Sequence, residues 1–312
     1  MQNIQIPNQL NLLITLSNLT LSITAIVFGD KHPDYFIPCL ILFAFLHLNN
    51  YALLHEATHS NLQSNKRLNY VLGVLSGFMF PTSFSIATLT HTKHHCCNRT
   101  DHEMFDYYYP NDSLFYKFGQ WYSVLLGGFW PVAVFGNIII FFYPSFPKSK
   151  FIQKVRSGQR MLEDMNSKDV IRIRSEILLI VGFWTLVIYV FNLSISTLIY
   201  FYVAAGFNWS TRQYITHAFS KRDVWEGAIN LKTNLLHEIF LLNGNWDLEH
   251  HLHPELPWTY LKKSAENKKT DKTYIKQYLK MWTGPKKNFE SSPKPISLKE
   301  YFDGYKRENH ST

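Results

Sequence analysis

Paired and tripled histidines at helical spacing are the residues of this 312-residue chain best suited to chemistry. His55-Glu-Ala-Thr-His59 puts two imidazoles one turn apart on one helix face, so that two ring nitrogens can converge on one metal ion. His91-Thr-Lys-His94-His95 uses positions one, four and five, and one segment can then serve two ions. Asp247-Leu-Glu-His250-His251 repeats that spacing with aspartate in the first place, and a carboxylate also ligates iron. His217, at the expected end of an apolar run, is a further candidate. Any one of these alone reads as an ordinary hydrogen-bonded or surface imidazole. Together, seven clustered histidines and His217 overfill a single four-coordinate zinc but suit two six-coordinate irons.

Such a site needs segments far apart in sequence to meet at one place, and the hydropathy pattern indicates how. Charge-free stretches cover Met1–Gly29, Tyr35–His55, Leu68–Thr92, Phe118–Pro147 and Ile177–Thr211. A spanning helix needs about 20 mostly apolar residues, and a hydrocarbon core admits no open strands or bare loops. The expected fold is an all-α integral membrane protein with about four transmembrane helices in two hairpins. Asn11–Phe28 and Tyr35–Leu54 form the first hairpin, turning at Pro33. The run Ile177–Thr211 suits two short spans turning near Asn192–Ser196. Tyr70–Leu89, broken by Gly73, Gly77 and Pro81, and Trp121–Phe142, with Gly127, Gly128 and Pro131, read as re-entrant or interfacial helices. One domain, 1–312, is expected, with a core of about 40–258 and a basic peripheral tail, 259–312.

The formal charge of +8 comes mainly from Lys148–Arg174 and the tail from Lys262 to Arg307, both flanking apolar spans. That is the cytoplasmic excess of Lys and Arg beside membrane helices, with attraction to anionic lipid, and it puts every histidine cluster in a cap on the cytoplasmic face. No nucleic-acid motif accompanies it. Cys39, Cys96 and Cys97 are too few for an iron–sulfur cluster and offer no disulfide framework. The first residues lack a signal peptide's basic region and cleavage site, so Asn11–Phe28 reads as a retained span.

The order His55-x-x-x-His59, His91-x-x-His94-His95 and x-x-His250-His251-Leu-His-Pro254, separated by hydrophobic hairpins, resembles the membrane fatty acid desaturase family across roughly Leu40 to Trp258. The resemblance implies a four-span bundle with a cytoplasmic cap, two iron ions held mainly by histidine, and a tunnel for an acyl chain. It also implies the reaction: reduced di-iron uses dioxygen to take a hydrogen atom from an acyl chain, leaving an alkene or, in relatives, an alcohol. Decarboxylation is the other outcome such a site supports. The acyl group would be carried on a lipid, coenzyme A or an acyl carrier protein. In the family a further histidine comes from the end of the fourth span, with an amide one turn before it, a pattern that His217 and Gln213 fit. Asp247 departs from the pattern, standing where many members have histidine and some glutamine.

Glu56 and Glu249 are candidates to orient an imidazole through its second N–H, as carboxylates beside metal-bound histidines do. Asp101 and Glu103 read better as solvated surface charges. No dinucleotide turn or haem domain is visible, so electrons must come from a separate ferredoxin or cytochrome. Two other readings use the same residues. His55-Glu56-x-x-His59 also matches a zinc metalloprotease helix, which would leave most other histidines unexplained. A metal transporter would place its ligands near the membrane midplane instead of at span ends.

Overall fold

The computed structural model describes residues 4–266 and 270–303. Of the tail expected from the sequence, 304–312 with Arg307 lies outside the described residues. The order opens with helices α1 (Asn8–Lys31) and α2 (Phe36–Thr58), then α3 (Lys66–Met79) and α4 (Phe84–Cys97). After a short strand β1 (Tyr107–Tyr108) come α5 (Leu114–Leu125), α6 (Phe129–Phe142), α7 (Ser167–Phe191) and α8 (Ile195–Ser210). The last part holds α9 (Leu235–Leu241), α10 (Asp247–Leu252), α11 (Trp258–Ser264), α12 (Tyr274–Met281) and β2 (Lys286–Lys287), which pairs in parallel with β1.

The surface is inverted relative to a water-soluble protein. On α1 the buried face carries Asn11, Thr15, Asn18 and Ser22, while Leu13, Leu16 and Leu21 point outward. Leu178, Leu179, Val181, Leu186 and Val190 of α7 do the same. Lipid tails take apolar side chains at no cost, so the polar ones turn inward and bond between helices. Asn18 donates to Asn49 Oδ1 at 2.8 Å, and Asn50 donates to Ser22 Oγ at 3.3 Å, which holds the first hairpin together.

Helices α1, α2 and α7 are long and apolar enough to cross a membrane. Two further pairs reach that length only as bent units, α3 with α4 at 97° and α5 with α6 at 92°. These are the two segments whose glycines and prolines predicted re-entrant helices. At 16 residues, α8 is short for a span, and it follows α7 after a turn at Asn192, as expected. The chain is thus an all-α membrane protein.

The bend between α3 and α4 matters because α4 carries three of the clustered histidines. It is clamped by a carboxylate from α7. Glu176 accepts from Tyr70 Oη (2.7 Å), Ser83 Oγ (2.6 Å), Ser85 N (2.8 Å) and Ser85 Oγ (2.7 Å), and is almost wholly buried. A carboxylate at the positive end of a helix, replacing water for several donors, is a strong cap. Asn137 of α6 completes the clamp, accepting from Ser83 N at 2.8 Å and donating to Thr82 Oγ1 at 2.8 Å. Glu176→Ala strands these donors in an apolar layer and is expected to destabilise the fold by on the order of 3 kcal/mol. Thermal unfolding in detergent measures it; an unchanged midpoint would show that the bend holds without the clamp.

The lysine-rich segment after residue 258, read from sequence as peripheral, contributes to the interior. Leu261 packs with Trp246, Tyr274 and Met281 join the cluster around Trp121, and Tyr301 is buried on Cys96 and Cys97.

Candidate metal centre

Four segments bring the histidines together. The last turn of α2 and its cap supply His55 and His59, and α4 supplies His91, His94 and His95. The turns after α8 supply His217, and the short α10 supplies Asp247, His250 and His251. Their nitrogens sort into two groups, His55, His59, His91 and His250 in one, and His94, His217 and His251 in the other. Within each group the ligand atoms lie within 4.8 Å of one another. His95 stands between, its Nε2 at 3.1 Å from both His91 Nε2 and His250 Nε2.

Within the first group His59 Nε2 lies 2.7 Å from His91 Nε2, and within the second His94 Nε2 lies 3.3 Å from His251 Nε2. Imidazoles at right angles on one ion, each bonded at about 2.1 Å, have nitrogens about 3 Å apart. A soft-to-borderline nitrogen set with room for two ions is the donor chemistry of zinc, copper or iron. Asp247 adds an oxygen to the second group. Its Oδ2 lies 3.2 Å from His217 Nε2 and 3.8 Å from His251 Nε2, and is buried without a hydrogen bond of its own. A buried, unbonded carboxylate oxygen facing two imidazoles is what a cation would satisfy.

Burial sets the protonation. Desolvation, aided by neighbouring imidazoles, holds His250 and His251 well below the usual histidine range and His217 at about 3. Neutral rings are the ligating form. Burial also raises the Asp247 carboxyl, which disfavours its bare anion and leaves it seeking a positive partner.

The orienting contacts differ in part from the sequence reading. Glu103, read there as a surface charge, is buried, with Oε2 2.5 Å from His94 Nδ1. The short 3-10 turn at Asp101–Glu103 explains the reversal. It folds back under α4, sending Asp101 outward to Arg222 and Tyr109 and Glu103 inward to the histidine. Glu56 is buried, accepts from Trp258 N at 3.1 Å, and lies 3.9 Å from His55 Nδ1. Glu249 accepts from Asn230 and Ser264, which ties α10 to α11. Gln213 donates to Tyr51 Oη at 2.9 Å. His217 lies seven residues beyond the end of α8 and not in its last turn.

Two orienting groups carried no sequence signal. The Gly227 carbonyl lies 3.0 Å from His217 Nδ1, and a side chain at Gly227 would collide with Asp223 and Arg99. Asn98 Nδ2 donates to the Val224 carbonyl and lies 3.4 Å from His251 Nδ1.

The segment bearing His217 is pinned by a buried ion pair. Arg99 donates to Asp106 through Nη1 (2.8 Å) and Nη2 (3.0 Å), and also to Tyr214 Oη and the Ser220 carbonyl. Both charged side chains are fully buried. Removing one partner leaves the other charge uncompensated, so Arg99→Ala is expected to cost about 3 to 5 kcal/mol. Chemical denaturation of the purified protein reads this, and a loss under about 1 kcal/mol would mean water reaches Asp106 freely.

Apolar, inward-polar helices with histidines gathered at one end of the bundle define a membrane-embedded protein with a polyhistidine site. The fatty acid desaturase family model matches residues 35–284, and the chain belongs to that family. Membership makes it an oxidoreductase acting on lipid acyl chains. No curated protein matches the chain.

Proposed function

We propose that this protein holds two iron ions and uses dioxygen to desaturate a lipid acyl chain. The observation that carries the reading is the sorting of the clustered histidines into two adjacent groups of ligand atoms. His55, His59, His91 and His250 would hold one iron, and His94, His217, His251 and Asp247 the other, with His95 between them. When bound, the irons supply the oxidising power, with dioxygen, to break an unactivated C–H bond, which no acid, base or nucleophile of the chain can do.

The residues themselves hold and exclude. Glu103 fixes His94 with its Nδ1 proton toward the carboxylate, leaving Nε2 for the metal, and the Gly227 carbonyl does the same for His217. Two neighbouring methylenes each lose one hydrogen; with two electrons and two protons delivered from outside, dioxygen leaves as two waters. The electrons come from a ferredoxin or cytochrome, for which the basic segments offer an attractive surface. Those segments also favour placing the histidine end on the cytoplasmic side. The acyl group arrives on a lipid, coenzyme A or acyl carrier protein.

Expression in a host lacking the activity, with mass spectrometry of its lipids and metal analysis of the purified protein, tests this. New alkenes and about two irons per chain support it. An alcohol or a shortened hydrocarbon would move the reaction to hydroxylation or decarboxylation on the same site, whereas one zinc and no lipid product would favour the protease reading. Asp247→Ala is expected to lower iron to about one per chain if Oδ2 ligates, and Asp247→His to restore the second ion. Two irons retained in Asp247→Ala would limit Asp247 to orienting His251.

A further inference from the structure

Between the turn at Asp101–Glu103, the start of α5 and the segment around Arg156 lies a cavity of about 160 Å³, and none of its lining residues belongs to the two histidine groups. A single water needs only about 10 to 15 Å³ of such space, so a small polyatomic ligand has room. Lys117 of α5 forms part of the lining although it is only 4 % exposed, and its ammonium donates to the Met104 carbonyl at 2.6 Å. An ammonium carries three N–H bonds, and that carbonyl takes one.

Three carboxylates act on Lys117, and each already holds an arginine. Asp106 pairs with Arg99, Asp112 accepts from Arg156 Nη2 at 2.9 Å, and Asp101 accepts from Arg222 Nη2 at 2.8 Å. Lys154 lines the same cavity, and among the described residues neither it nor Lys117 has a carboxylate of its own. The cavity therefore carries two positive charges without a counter-ion. One of them sits on a side chain shut away from water, where an uncompensated ammonium is costly. His102, also on the wall, uses Nδ1 to donate to the Arg156 carbonyl at 2.9 Å. Ser113, the N-cap of the 12-residue α5, puts the positive end of that helix at the rim.

Two unmatched cations beside a helix N-terminus suit a small dianion with several acceptor oxygens. A phosphate brings a charge of about −1.5 to −2 and three strong acceptors, whereas a carboxylate brings one charge and two oxygens. We propose that this cavity binds a phosphate group, either as the free anion or as the headgroup of a membrane lipid. Exposed rings set the cavity at the lipid surface: Phe115, 92 % exposed, adjoins Tyr116 of the lining, and Phe151, 68 % exposed, comes three residues before Lys154. Apolar rings interleaved with lysines are what holds a chain at headgroup level. The site stands apart from the oxidase reading, although its wall includes the turn that brings Glu103 to His94.

The test is the melting temperature of the full chain in two arms. One compares inorganic phosphate with chloride at equal ionic strength in neutral detergent; the other compares phosphatidylcholine nanodiscs with and without phosphatidic acid. Ligand at about a hundred times its dissociation constant should raise the midpoint by roughly 5 °C. A rise with inorganic phosphate shows that the free anion suffices, and a rise with phosphatidic acid alone assigns the site to a lipid headgroup. Lys117→Gln and Lys154→Gln should each remove most of the rise, while Lys276→Gln, at an exposed lysine on α12, should keep it. If Lys117→Gln fails to fold, the exposed Lys154 decides alone. No rise in either arm, a full rise in Lys154→Gln, or an equal loss in Lys276→Gln overturns the site and leaves the oxidase reading in place.

Discussion

Alanine at His94, His95 or His250 is expected to abolish turnover while leaving the protein folded in the membrane, and the same holds for His55, His59, His91 and His251. Losing a group that only orients a ligand costs about 10- to 100-fold, so losing a ligand should exceed a hundredfold. The structure makes the expectation more specific than a general loss. His55→Ala should deplete the ion held with His59, His91 and His250, and His251→Ala the ion held with His94 and His217. His95→Ala should weaken the first site most, since its Nε2 is as close to His250 as to His91. Iron quantified per chain, alongside lipid products, checks each variant. Full activity in two or more of them would break the assignment.

Glu103→Ala should follow, with turnover and iron retention lowered about 10- to 100-fold. The carboxylate is 2.5 Å from His94 Nδ1 and almost entirely buried, a position in which a charged hydrogen bond is strong and water is a poor substitute. Glu103→Gln keeps an acceptor without the charge and should fall between wild type and alanine. The rate at which a chelator strips iron separates loss of orientation from global unfolding, which the melting temperature reports independently. Chelation as slow as in the wild type would show that His94 is held by its helix alone.

The class of fold could be read from the sequence, because lipid imposes a one-dimensional rule. A segment with about 20 apolar residues and no charges must be helical if it crosses, and prolines and glycines interrupt it wherever they occur. The bends at Phe80–Ser83 and Leu126–Gly128 fall inside the two segments whose composition predicted them. The clustered histidines were legible for the same reason: spacing along a helix fixes which side chains share a face, whatever the helix packs against.

What orients those histidines was not legible. Glu103 and Asp101 are two residues apart and chemically alike, yet one meets His94 and the other pairs with Arg222. Glu249, adjacent to His250, turns instead to Asn230 and Ser264. Composition likewise marked the segment after residue 258 as peripheral, although Tyr301 from that segment lies 5.4 Å from His95, ring to ring. Sequence by itself determined the membrane helices, their interruptions and the histidine-bearing faces, since each follows from local periodicity and from the solvent. Only the tertiary structure decided the division into two ligand groups, the inward turn of Glu103 and the Glu176 clamp. Those depend on contacts between segments tens to hundreds of residues apart, and no local pattern encodes which partners packing will supply.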